Sequence, residues 1–293
     1  GYRTPSPEKL VAALCEMAAV LNVPEKLQRT SAQVAAYFDA CRAKMHPNPF
    51  HNWNHPFDVT QFMFAVLTGT GRAKKLGAAQ RLGRFRGAVA HDLDHRGKSN
   101  AFEINEKTEL AVKFPKSTAP LESHHCALAL ATMDELELLG GLSAENADLV
   151  RSVVRDVIMA TDMGHHAEIL KDCKDAFKDL ENLGKFFDVS PYGGDDEARL
   201  LCQLLIKGCD ISNPCRPAAV AERWNTLCYE EFYAEGDVDR TKNRKLNPLH
   251  DRHNNIICRS SVGFIGHVVT PIFKLLKSFL RNAAKQMDGH GLD

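Results

Sequence analysis

No two cysteines in this sequence of 293 residues stand at CxxC spacing. The nine present, at positions 15, 41, 126, 173, 202, 209, 215, 228 and 258, are odd in number and irregularly spaced. That pattern argues against a disulfide framework and for reduced thiols in a cytoplasmic protein. Cys209, beside Asp210, reads as core filler rather than as a nucleophile. A basic excess is missing too, with Lys plus Arg and Asp plus Glu at 37 each. Polyanion binding needs a positive field, so no nucleic-acid partner is expected. No apolar run reaches the ~18 residues of a membrane-crossing helix, so no membrane span is expected in this stretch. Strand-like alternation, internal repeats, low-complexity tracts and Gly-, Ser- or Pro-rich linkers are all absent. What remains is an all-α chain whose core nothing divides, read as one domain over 1–293. Gly1-Tyr2-Arg3 is no signal peptide, and the chain reads as a catalytic-sized module, with any regulatory domain or anchor lying outside it.

What is present is ordinary in bulk, 44% hydrophobic and 25% charged, and informative in its spacing. Leu10, Ala13, Leu14 and Met17 recur at helical intervals, Pro24 interrupts, and Val34, Tyr37, Phe38 and Cys41 resume the pattern. The stripe Leu149-Val150, Val153-Val154 and Val157-Ile158 predicts a buried helix face. Further helices are predicted from Arg81 to Ala90, from Leu121, from Ala198 to Asp210, around Trp224 to Phe232, and in two pieces from Ile256 to Leu280. Segments 69–77 and 183–196 read as loops, and 289–291 as a frayed end. The charged stretch 236–252 lacks apolar periodicity and reads as a mobile loop or lid.

The densest chemistry lies in His91-Asp92-Leu93-Asp94-His95-Arg96-Gly97-Lys98-Ser99-Asn100. Imidazole nitrogen suits zinc and carboxylate oxygen suits magnesium or manganese, so a cluster offering both can hold one ion of each kind. A polar helix end with its side chains in water is the plainer alternative. His51 and His55 fall on a loop-to-helix corner at Pro56, where they either converge on one cleft or cap a turn. Asp210 follows a strongly apolar stretch, and a carboxylate there needs a partner: a metal, or the backbone of a helix end.

Six motifs stand in order: HNWNH at 51–55, HDLDHRGKSN at 91–100, LESHH at 121–125, TDM at 161–163, DISNP at 210–214 and VGF at 262–264. In that order and at those intervals they resemble the catalytic domain of the class I cyclic nucleotide phosphodiesterases, over a core of about 45–280. The resemblance implies a bundle of about sixteen helices of the HD-domain type. It also implies that His55, His91, Asp92 and Asp210 are the ligands of a zinc ion, with Asp92 bridging to a second ion, Mg2+ or Mn2+. His95, Glu122, His125 and Thr161 would surround the second ion's waters. The implied reaction is hydrolysis of a 3′,5′-cyclic nucleotide to the 5′-monophosphate by a metal-activated hydroxide, with His51 as general acid. A homodimer and a regulatory domain outside this stretch are compatible with the resemblance. Another HD-type phosphohydrolase, or a silent cyclic-nucleotide sensor, would carry much of the same pattern.

The sequence departs from the family where the base is held. Phe264 supplies the aromatic clamp, with Phe232 as its expected neighbour, and Asn213, Cys228 and Met163 complete the predicted substrate-binding set. The glutamine that precedes VGF in the family is replaced by Ser261, which lacks an amide's paired donor and acceptor. Recognition of the base must then be weaker, water-mediated or supplied by another residue. The HNWNH and HDLDHRG motifs resemble the branches that accept cGMP, so cGMP is the favoured substrate, with cAMP as a second.

Overall fold

The computed structural model describes residues 5–69, 78–177 and 196–289. Among them there is no strand, as the missing alternation predicts. The chain begins with α1 (Pro7–Val20), α2 (Val23–Leu27) and α3 (Ser31–Ala43). Pro24 opens α2 rather than merely interrupting a helix, because the N–H it lacks has no partner in a first turn anyway. Thr30 starts α3 with a reciprocal cap: its hydroxyl accepts from Gln33 N at 3.2 Å while the Gln33 side chain accepts from Thr30 N at 2.9 Å.

Then follow α4 (Asn54–Gly69), α5 (Ala78–Ala90), α6 (Asn100–Glu106), α7 (Glu109–Lys113), α8 (Pro120–Glu135), α9 (Ala144–Met159) and α10 (His166–Ala176). After these come α11 (Asp196–Asp210), α12 (Ala218–Thr241), α13 (Ile257–Phe264) and α14 (Thr270–Gly289). Fourteen α-helices are thus seen among the described residues, against the sixteen or so implied by the resemblance, with short 3-10 turns at 163–165, 213–215 and 248–250 between them. The loops read at 69–77 and 183–196 and the frayed end at 289–291 lie outside the described residues, save for Gly69, Asp196 and Gly289 at helix termini.

One hydrophobic cluster draws on residues from Leu10 in α1 to Phe279 in α14. Its centre is the valine stripe of α9: Val150, Val154, Val157 and Ile158 are fully enclosed. Against that stripe α5 presents glycines rather than knobs. A Cβ added to Gly83 or Gly87 would fall 2.5 Å from a methyl of Val153 or Val157 respectively. Residues four apart share a helix face, so the two glycines form a seam on which two valines seat. The close approach fixes the C-terminal end of α5, and His91 and Asp92 follow directly.

The expected lid at 236–252 is not one. α12 continues through Gly236 to Thr241, and the rest is tied down by ion pairs: Lys242 to Glu106 at 2.5 Å, Arg240 to Asp251 at 2.6 Å, Arg252 to Asp237 at 2.5 Å, and Arg244 to both Asp239 and Glu106. Charge pairing supplies here the order that apolar periodicity does not. Gly236 lets the chain fold back, since a Cβ there would collide with the carbonyl oxygen of His250.

α13 and α14 are joined without a break by a π-turn, Ile265–Val269. By length and composition the rod over Ile257–Arg281 could cross a membrane, which the sequence reading did not anticipate. Its charges interrupt the apolar runs without lowering the average enough, and Ile272 and Phe279 on its inner face are buried in the core.

Candidate metal centre

Three helix termini converge. α4 brings His55 in its first turn, the end of α5 leads into His91 and Asp92, and α11 ends on Asp210. His55 Nε2 lies 3.2 Å from His91 Nε2, 3.3 Å from Asp92 Oδ2 and 3.0 Å from Asp210 Oδ1. His91 Nε2 lies 3.1 Å from Asp92 Oδ2 and 3.2 Å from Asp210 Oδ1. Metal–ligand bonds of about 2.0–2.1 Å at tetrahedral angles set donor atoms about 3.3 Å apart. The five separations of 3.0–3.3 Å match the spacing of donors around one metal ion.

Tautomers agree with that reading. His91 Nδ1 is 2.8 Å from the Ala88 carbonyl, which can only accept, so Nδ1 carries the proton and Nε2 turns a lone pair toward the cluster. A second imidazole nitrogen and two carboxylate oxygens at such range repel unless a cation or protons lie between them. Burial alone would keep His55 neutral, but hydrogen bonds to Asp210 and Asp92 outweigh it and raise its pKa to about 9. His91 is raised well above its usual value on the same balance, and burial of Asp92 and Asp210 is outweighed by the two histidines, which hold both carboxyls below the ordinary range. These residues could hold a metal ion, which would take the place of the protons.

His125 and His95 adjoin the cluster and stay neutral. Burial, with other histidines nearby, holds His95 well below the usual imidazole value and His125 at about 4. His125 Nδ1 donates to the Leu93 carbonyl at 2.6 Å, leaving Nε2 facing Asp92 Oδ1 at 4.0 Å. His95 Nδ1 accepts from Gly97 N at 3.0 Å, so its Nε2 is the donor. Asp92, His95 and His125 form a second buried group able to hold an ion. Glu122 accepts from Asn100 Nδ2 at 2.7 Å, and burial with Asp162 and Asp92 nearby raises its pKa to about 7. Thr161 is buried with its hydroxyl on the Ile158 carbonyl, 2.7 Å away.

His51 stacks on His95 with ring centroids 3.8 Å apart, and its Nδ1 donates to Glu231 Oε2 at 2.5 Å. Glu231 Oε1 accepts from the N–H groups of Phe50 and His51 at 2.7 and 2.8 Å. Burial of the Glu231 carboxyl is outweighed by these bonds, which keep it ionised below the usual range. His51 Nε2 is thereby left as the exchangeable position of the ring. Sequence reasoning missed Glu231, which looks like one more charge in a helix. It missed Lys207 as well, a fully buried lysine whose Nζ holds the carbonyls of Ala160 and Asp162, on either side of Thr161, at 2.8 and 3.0 Å. A lone lysine within the apolar Leu204-Leu205-Ile206 run was the available signal.

Asp94 turns away to His46 at 2.5 Å and His124 at 2.8 Å, a structural role as its place in the motif suggests. A cavity of about 350 Å³ beside it is lined by His46, Pro47, Asn48, Asp94 and Arg96 and includes none of the four donors.

The predicted substrate residues are less tightly gathered. Asn213 is buried and donates to Asp58 at 3.1 Å, and Met163 is exposed on its turn. Cys228 and Phe232 lie on α12, Ser261 and Phe264 on α13. Phe232 is not Phe264's ring neighbour. It stacks on His250 at 4.8 Å and meets Tyr229 edge-on at 5.7 Å, because the fold-back at Gly236 brings His250 within reach. Phe264 has no aromatic partner among the described residues and is 38% exposed.

Comparison with known proteins gives three kinds of match. The family described as 3′5′-cyclic nucleotide phosphodiesterase matches residues 50–290. The high affinity cGMP-specific 3′,5′-cyclic phosphodiesterase 9A of Mus musculus is 37% identical over 230 residues, 78% of this chain and 41% of that protein. A dual specificity calcium/calmodulin-dependent 3′,5′-cyclic nucleotide phosphodiesterase 1B of Bos taurus is 31% identical over 233 residues, 79% of this chain and 41% of that one. This chain spans about two fifths of the length of these relatives. Among solved structures, LmjPDEB1 in complex with IBMX superposes with a TM-score of 0.85 at 26% identity, covering 95% of this chain and 82% of that one. The phosphodiesterase domain of the RhoPDE fusion protein from the choanoflagellate Salpingoeca rosetta gives 0.84 at 26% identity, covering 97% and 88%.

Proposed function

The chain belongs to the 3′5′-cyclic nucleotide phosphodiesterase family, and from that membership we propose that it hydrolyses a 3′,5′-cyclic nucleotide, cGMP ahead of cAMP, to the 5′-monophosphate. The observation that carries the reading is the convergence of His55, His91, Asp92 and Asp210 at 3.0–3.3 Å beside His51. Two imidazole nitrogens with two carboxylate oxygens favour Zn2+ at the first site. The free oxygen of Asp92, with neutral His95 and His125, half-buried Glu122 and buried Thr161 about it, suits a hard ion that keeps its waters, Mg2+ or Mn2+. Such ions, when bound, supply the neutralisation of phosphate charge and the activation of water that the reaction requires.

The protein's own groups do the rest. Glu231 fixes the His51 ring and its tautomer, so that His51 Nε2 delivers a proton to the departing 3′-oxygen. His95, stacked on His51, prevents the ring from turning. Phe264 and Cys228 offer apolar contact to the base, with Met163, Phe232 and Asn213 around it. The nine free thiols support a cytoplasmic setting. Replacing His51 by Ala should lower turnover of cGMP by about 10²–10⁴-fold while zinc content, measured by atomic emission, stays near wild type. Undiminished turnover in that variant would remove His51 from the mechanism, and wild-type protein active only on linear diesters would remove the substrate assignment.

A further inference from the structure

Ser261 and Asn225 meet between α13 and α12, where the serine Oγ donates to the asparagine Oδ1 at 3.1 Å. These two helices carry Phe264, Cys228 and Phe232, the residues proposed above to meet the base. Asn225, Cys228 and Phe232 recur at helical intervals of three and four, which puts them on one face of α12. Asn225 thus shares a wall with the proposed base contacts, half-buried.

The hydrogen bond fixes what each partner still offers. A hydroxyl has one hydrogen and two lone pairs, so Ser261, its hydrogen engaged, presents only an acceptor. An amide whose oxygen is engaged presents only its NH2, and Asn225 Nδ2 has no partner among the described residues. With the hydroxyl donating, the pair presents a donor beside an acceptor. Guanine carries an acceptor at O6 beside a donor at N1–H, the complement of this edge. Adenine carries a donor at N6 beside an acceptor at N1, which opposes it. We infer that Asn225, oriented by Ser261, is the residue that reads the base, and that it selects guanine. The inference rests on the cyclic-nucleotide reading above and adds to it a specificity residue contributed by a different helix from Ser261.

The test measures kcat/KM for cGMP and cAMP together with equilibrium binding of fluorescent N-methylanthraniloyl derivatives of both. The proteins compared are wild type, Asn225→Ala, Asn225→Asp and Ser261→Ala. Wild type should prefer guanine in both measurements. Asn225→Ala should cut the cGMP-to-cAMP ratio by about tenfold or more, chiefly through KM, because a polar site that loses its partner loses its discrimination. Asn225→Asp puts an acceptor opposite guanine O6 in place of a donor and should lower the ratio. Ser261→Ala frees the amide to turn either end outward and should lower the ratio by raising affinity for cAMP. A ratio unmoved in Asn225→Ala or in Asn225→Asp, or an adenine preference in wild type, overturns the inference. The aspartate variant differs by one atom and keeps the test decisive if the alanine variant unfolds. Turnover with a ratio insensitive to Asn225 overturns the inference alone, Asn225-dependent guanine binding without turnover overturns the hydrolytic reading alone, and loss of both binding and turnover in wild type overturns both.

Discussion

A single carboxylate decides how well the proposed acid is aimed. Glu231 spends one oxygen on the His51 ring and the other on two backbone N–H groups of the same turn, so it sets both where the ring sits and which nitrogen bears the proton. Groups that orient a reacting residue in this way are worth about 10–100-fold in activity. Glu231→Gln should lower kcat by about that factor and displace the pH–rate profile, while metal content stays unchanged. If both kcat and the profile match wild type, Glu231 is only a helix-to-loop tie. The contrast with the four candidate metal ligands shows what was legible at this scale. His91 and Asp92 announce themselves by density, and Asp210 by a charge at the end of an apolar run. Glu231 sits in Tyr229-Glu230-Glu231-Phe232, where paired glutamates are the ordinary dress of a solvent-facing helix, and only the folded chain shows which of them turns inward.

Helices were legible because apolar spacing predicts them, and the buried stripe of α9 is where it was read. What faces that stripe was not legible, since a glycine in a helix carries no sign of a packing role until its neighbour is known. Alanine would favour an unhindered helix over glycine by about 1 kcal/mol. At Gly87 the new methyl would strike Val157 at 2.5 Å, and overpacking typically costs about 1–3 kcal/mol, so the clash should win. Gly87→Ala should lower stability in urea unfolding by up to about 2 kcal/mol, and Val157→Ala in the same protein should restore part of it by making room. A single variant as stable as wild type would show that the seam is slack. The segment 236–252 was misjudged for the converse reason: its order comes from ion pairs within the segment and to Glu106, which apolar periodicity does not register.

At the scale of the molecule an ion in the candidate metal centre would cross-link α4, the end of α5 and α11. An ion that binds only the folded chain stabilises it, by about 2.7 kcal/mol at a hundred times its dissociation constant. Chelation should therefore lower the Tm, and zinc should restore it. An unchanged Tm after proven metal removal would mean that the donors are held by the helices alone. The pH dependence has a definite sign. Without metal, the His55 pKa of about 9 lies above its usual value, so the proton's contribution to stability is complete below about pH 6.5 and is lost as pH rises through about 9. A metal must displace that proton, so its affinity should rise with pH over the same interval. Chelated protein should lose Tm toward pH 9 while zinc-loaded protein gains on it.

The wide spread of these donors also orders events on the ribosome. The 118 residues from Asp92 to Asp210 take about 6–24 s to synthesise at ~5–20 residues per second. Throughout that time a nascent chain displays His55, His91 and Asp92 without the fourth candidate ligand. Glu231, which aims His51, emerges later, and Ser261 later still. The residues proposed to complete the metal site, to aim the proton donor and to orient the base-reading amide thus emerge in that succession.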